Sequence, residues 1–293
     1  MNRQLVFVHG RAQEGKDSLG LKQEWIAAWA KGLAKHGLQL PIAETDIRFP
    51  YYGDTLAQMT EGKSADEAAR IIVRGELDQE EQSFIRDYLE QVQAATGITD
   101  EEILQEMSPE ARERGVLNWG WVQALLEVVD RHVPMASAAT VALFTQDTFR
   151  YLHNVTIRNT MNDGVRAAFA EQRETVVVGH SLGSVIAYNV LRHQDNAGLK
   201  VPLFVTLGSP LGINVIRKSL RPIGHPGPVG TWFNAMDERD VVALFPLVKP
   251  HFGIVPAIEN KVDVDNDTVN RHGISGYLSD PEVARRIYDA LVS

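Results

Sequence analysis

The sequence predicts an α/β fold, a mostly parallel central sheet flanked by helices, with a helical insertion ahead of the strand that carries the chemistry. Three observations lead there. Short apolar runs alternate with longer helical patterns at both ends of the chain. The stretch 175-TVVVGHSLGSVIAYNVL-191 joins an apolar strand to a helix through a turn bounded by glycines. Between residues 55 and 153 the strand signals stop and successive helix patterns take over. The expected division is a core of residues 1–54 and 154–293, with 55–153 as the insertion. A chain of 293 residues, 44% of them hydrophobic, is long enough to bury such a core.

Each element follows in order. Residues 5–8 form a buried strand, 19–36 an amphipathic helix carrying Trp25 and Trp29, and 47–49 a second strand closed by Pro50. This is a βαβ beginning. The insertion reads as helices over 65–73, 79–95, 100–107, 116–132 and 136–152, with Ser64, Asp78 and Thr99 as N-caps. A helix around 155–171 leads to a strand at 175–178, whose consecutive valines suit the centre of a parallel sheet. Then come a helix over 184–193, strands at 203–207 and 231–235, a candidate strand at 258–264, and a terminal helix over 281–291. The stretch 222-PIGHPGPVG-230 is a loop, because strand patterns continue on both sides of it.

Composition narrows the function classes. A net charge of -9, spread along the chain, opposes non-specific nucleic-acid binding. The absence of cysteine removes disulfides, thiolate nucleophiles and Cys-based zinc sites. Only Met1 to Gln4 precede the first apolar run, and no apolar stretch has the length of a transmembrane helix. A cytoplasmic protein with no stable membrane insertion is expected.

The turn Gly179-His180-Ser181-Leu182-Gly183 lies between strand and helix, as a nucleophile elbow requires. A serine on so sharp a turn needs small neighbours at Gly179 and Gly183, and the helix that follows aims its unpaired N–H groups at the developing charge. A strand-to-helix turn with no chemistry is the plain alternative. Serine needs a base, and the base an orienting acid. In 232-WFNAMDERDVVAL-244 the candidate acids are Asp237, Glu238 and Asp240, with Asp240 favoured because it precedes Val241-Val242, where the chain re-enters the core. Four histidines follow the elbow. His193 lies in the helix after the serine and is expected to face away from it, His225 comes before the acid, His251 comes before the last strand candidate, and His272 falls in the loop before the terminal helix. The order Ser, Asp, His selects His272.

The opening stretch 5-LVFVHGRAQEGKDS-18 has two readings. As a phosphate-binding loop it offers Gly10, Gly15 and Lys16, but Asp17 stands where the metal-binding hydroxyl belongs. As an oxyanion loop it needs only a tight turn at Gly10 and a backbone N–H from Arg11, with Leu182 N–H as the second donor and His9 bracing the turn. The second asks less. Asp263, Asp265 and Asp267 alternate like a calcium loop, but Thr268 replaces its glycine and Ile274 its final acid, so they read as a solvated acidic loop and no metal is expected.

Together 6-VFVHGR-11, 179-GHSLG-183, 204-FVTLGSPLG-212, 240-DVV-242 and 272-HGISGY-277 resemble the α/β-hydrolase superfamily, especially its lipase-like members. The resemblance covers about residues 1–55 and 155–293 and leaves out the insertion. It implies an α/β-hydrolase fold and a cofactor-free serine-hydrolase mechanism, with Ser181, Asp240 and His272 as the triad and Arg11 and Leu182 as backbone donors. The chain departs from secreted lipases in having no cysteines, no export signal and no HGGG loop, which argues against extracellular fat digestion. The expected substrate is a small-molecule or lipid ester, with peptides and thioesters open to the same machinery. The insertion enters after 49-FPYYGD-54, where Tyr51 and Tyr52 could line the entrance and the helices could form a lid; packing within the core explains their apolar residues equally well. Two rivals are a non-catalytic binding protein on this scaffold and a nucleotide binder.

Overall fold

The computed structural model describes residues 3–10, 18–51, 77–113, 119–132, 138–169, 173–193, 196 and 198–293. Strand β1 (Arg3–Val8) is followed by helix α1 (Ser18–Ala34) and by β2 (Ile47–Arg48), which pairs parallel with β1. Among the described residues five helices come next: α2 (Gln79–Thr96), α3 (Asp100–Glu106), α4 (Pro109–Glu113), α5 (Trp119–His132) and α6 (Ala138–His153). The alternation then resumes with α7 (Val155–Arg166), β3 (Glu174–His180), α8 (Leu182–Leu191) and β4 (Val201–Leu207). Helix α9 (Asn214–Ser219), β5 (Val229–Ala235), β6 (Glu259–Lys261), α10 (Ile274–Leu278) and α11 (Pro281–Val292) complete it.

The six strands are all parallel, in the order β2-β1-β3-β4-β5-β6, with helices on both faces. Because successive strand residues point to opposite faces, Leu5, Phe7, Val176 and Val178 pack with Trp25 and Trp29 of α1 and Val283 and Ile287 of α11. Their neighbours Val6, Val8 and Val177 face the other way, into a second core with Val185 and Ile186 of α8. That second core runs on without a break into the insertion, through Tyr88, Val122, Leu125, Val129, Val141 and Phe144. The apolar surplus of α5 and α6 is therefore buried against the sheet side of the molecule.

The caps read from the sequence form at two sites. Asp78 accepts from Glu81 N–H, and Thr99 with Glu102 makes a reciprocal capping box. The expected helix at 65–73, with Ser64 as its cap, lies outside the described residues. Several boundaries differ from the expected ones, among them the following three. The strand expected over 258–264 is only Glu259–Lys261 long, because the chain must then turn toward the loop that holds His272. Helix α7 stops at Arg166, with a turn at 167–169, before the chain enters β3. Helix α8 starts two residues earlier than expected, directly after Ser181. No helix among the described residues is long and apolar enough to cross a membrane.

Strand order locates the crevice. From β1 the chain first moves outward to β2, whereas β3 to β6 build on the other side of β1. The reversal falls between β1 and β3, and in open parallel sheets ligands bind beyond the strand carboxyl ends at such a point.

Candidate active site

At that reversal Val8 stands opposite Gly179, so the turns leaving β1 and β3 lie side by side. The chain leaves β3 through Ser181, whose φ of 55° and ψ of -132° are a backbone conformation that side-chain-bearing residues rarely adopt. Glycines surround it. A Cβ on Gly183 would stand 2.3 Å from both the Val8 and the His9 carbonyl oxygens, and one on Gly10 would stand 2.7 Å from Ser181 Cβ. On Gly179 it would stand 2.8 Å from Ser184 Cα. The small residues of the sequence pattern are thus demanded by backbone packed on backbone. Ser181 N–H donates to Leu207 O at 3.0 Å, which ties the elbow to β4.

His272 arrives from the loop between β6 and α10. Its Nε2 lies 2.8 Å from Ser181 Oγ and its Nδ1 lies 2.7 Å from Asp240 Oδ2. With Nδ1–H donated to the carboxylate, Nε2 is left to accept the serine proton. The loop is held by its backbone: Gly273 N–H donates to Thr268 Oγ1 at 2.9 Å, and Asn266 Nδ2 donates to Gly273 O at 2.9 Å. Between these anchors Arg271 takes a left-handed φ of 54°, which turns the imidazole inward.

Asp240 follows β5. Its Oδ1 accepts from Val242 N–H at 2.9 Å and Ala243 N–H at 3.4 Å, while Oδ2 faces His272. Tyr277 O–H also donates to Oδ2, at 2.6 Å. Asp237, the alternative acid, points elsewhere: its carboxylate accepts from Asn266 N–H at 2.9 Å and Arg239 N–H at 2.8 Å. It braces the loop carrying His272. Of the other candidate bases, His225 Nδ1 bonds Pro226 O, His251 stacks on Phe245 at 4.0 Å, and His193 lies past the end of α8. Of these four histidines, only His272 reaches Ser181.

Two further histidines support the geometry. His9 donates Nδ1–H to Gly10 O at 2.7 Å and stacks on Phe49, with the Tyr51 ring 5.5 Å away. His180 Nε2–H donates to the His272 carbonyl at 2.8 Å, its ring 4.7 Å from the His272 ring. Burial pushes His9 down to about 4; burial, aided by the His272 charge, pushes His180 down to about 3. Both are neutral where the protein would work. Their ordinary value of 6.5 returns on unfolding, so the unfolded chain binds more protons below about pH 6.5. Stability from these two rings is complete above that pH and is lost on acidification toward about 4 and about 3. Urea unfolding at pH 7, 6 and 5 should show the loss, up to about 1.4 kcal/mol per pH unit for each ring. A flat response across that interval would contradict their neutral burial.

Leu182 is the first residue of α8, so its N–H has no acceptor within the helix and points from the helix start. Arg11, the other expected donor, lies outside the described residues, as do Tyr52, Lys16 and Asp17. Asp263 pairs with Lys261 at 2.7 Å, and Asp265 pairs with Arg239 at 2.8 Å and Arg271 at 2.9 Å. Those two acids neutralise local cations. Sequence reading missed Tyr277, the bond from His180 to the His272 carbonyl and the bracing by Asp237. Their partners lie far away in the chain, and only the position of Tyr277 within 272-HGISGY-277 hinted at any of them.

The arrangement can pass a proton from a serine hydroxyl to an imidazole whose far nitrogen is held by a buried carboxylate. No protein-family model matches the chain, and no curated protein matches it.

Proposed function

We propose that the chain is a serine hydrolase of the α/β-hydrolase type that cleaves carboxylic esters through an acyl-serine intermediate. One observation carries the reading: His272 is within hydrogen-bond distance of Ser181 Oγ through Nε2 and of Asp240 through Nδ1. His272 takes the Ser181 proton as Oγ attacks the ester carbonyl, and Asp240 holds the imidazole in the tautomer that can accept it. The N–H groups of Leu182 and Arg11 receive the oxyanion. His272 then protonates the leaving alcohol, and water, deprotonated by the same imidazole, cleaves the acyl-serine. The strained backbone at Ser181 supports this reading, because it lifts the hydroxyl clear of the sheet. We read helices α2 to α6 as a cap over the site. Tyr88 O–H of α2 donates to Val241 O at 2.9 Å, so the cap touches the residue next to Asp240.

A fluorophosphonate probe tests the nucleophile without knowledge of the natural ester. The probe should label the native protein once, at Ser181 by peptide mass spectrometry, and should not label Ser181→Ala. Folded protein that stays unlabelled would sink the proposal in favour of a binding role. Hydrolysis of p-nitrophenyl esters of increasing chain length would then define the acyl pocket.

A further inference from the structure

The mechanism above gives no part to the phenol of Tyr277. This side chain lies on α10, fully buried in the core beneath His272. Its O–H donates to Asp240 Oδ2 at 2.6 Å, the oxygen that also faces His272 Nδ1 at 2.7 Å. The phenol oxygen accepts Asp237 N–H at 3.2 Å, so its own proton is committed to the Asp240 carboxylate. Core packing alone would be served by phenylalanine. A hydroxyl kept in the core, where desolvation is costly, needs a polar reason.

We infer that Tyr277 is a positioning residue for the proposed reaction: its O–H fixes the Asp240 carboxylate against His272 and draws off part of its negative charge, setting how basic the imidazole is. This rests on the serine-hydrolase reading of Ser181, His272 and Asp240. A hydrogen bond from a neutral donor to an ionised oxygen is short and strong because the oxygen gives up charge density to it. With less charge on Oδ2, imidazolium is stabilised less. The surroundings offer little to override this. Oδ1 is occupied by the Val242 and Ala243 amides. Tyr88 of α2 is neutral, its pKa raised by burial and by Asp240; His180 and, beyond it, His9 are neutral as well. The Asp237 carboxylate is taken up by Asn266 and Arg239. Arg271, next to His272 in the chain, pairs with Asp265. Tyr277 is itself held neutral, its pKa pushed well up by burial and then by the Asp240 charge.

Two replacements at one position test the inference in opposite directions. Tyr277→Phe removes the donor, and site-specific 3-fluorotyrosine strengthens it by making the phenol more acidic. The acid limb of the kcat/KM profile should move up by about half to one pH unit in the first and down by a smaller amount in the second. The His272 imidazole resonances, followed by NMR across the same pH range, should move in the same senses. A purely structural tyrosine would shift neither midpoint. Unmoved midpoints in both variants, with Ser181-dependent turnover retained, would overturn the inference and leave the hydrolase reading standing. Opposite NMR shifts in a protein that never labels at Ser181 would uphold the coupling and remove the hydrolase reading. If Tyr277→Phe fails to fold, the fluorotyrosine protein decides alone.

Discussion

His272→Ala should lower kcat by about four to six orders of magnitude while the protein stays folded. The size follows from the geometry, since among the described residues the His272 ring is the group placed to take the Ser181 proton. Stability should change little, because the loop around His272 is anchored through Gly273, Thr268 and Asn266 and not through the imidazole. Ser181→Ala should cost as much, and the double variant no more than either single one, because both residues serve the same proposed proton transfer. Asp240→Asn should cost about four orders of magnitude, since the amide can present N–H to Nδ1 and favour the wrong tautomer. Asp240→Ala makes a poorer test. It also strips acceptors from the Val242 and Ala243 amides and from Tyr277, so it mixes folding with chemistry. Steady-state kinetics on p-nitrophenyl acetate, with circular dichroism to verify folding, decides the matter. A His272→Ala protein keeping more than about a hundredth of the parental kcat would show that another group takes the proton.

How much of this was legible depends on how local each feature is. The elbow was readable because five adjacent residues and their flanking strand and helix encode it, and its steric demands are met within that same stretch and the turn after β1. The sheet was readable because strands buried on both faces announce themselves as unbroken apolar runs, as in Val176 to Val178. Asp240 and His272 could be picked by chain order, but their approach depends on loops whose shape comes from Asp237, Asn266 and Thr268. No periodicity reports such bonds. Tyr277 was hidden for a related reason: α10 spans only Ile274–Leu278, too short to show a helical repeat, and the acid it bonds is 37 residues away. Past Arg166 the sequence still favours helix, and the return to β3 overrides that preference. The apolar faces of α5 and α6 were correctly detected, yet only the fold shows that they share one core with the sheet.

Gly183→Ala should destabilise the protein by about 3 kcal/mol or more and remove most of the activity that remains. A methyl group there would sit 2.3 Å from two carbonyl oxygens, those of Val8 and His9, where no flexible side chain can swing aside. β1 cannot retreat either, because it is paired with β2 on one side and with β3 along its whole length on the other. The strain must therefore move α8, and with it the Leu182 N–H that the proposed oxyanion needs. Gly164→Ala is the matching control. It lies inside α7 with nothing within 4 Å of the added methyl, so it should stabilise by about 0.5–1 kcal/mol through helix propensity alone. Urea denaturation of the two variants beside the parent gives both signs in one experiment. If Gly183→Ala were as benign as Gly164→Ala, the turns leaving β1 and β3 would not touch, and the serine, its base and its amide donors could not share one crevice.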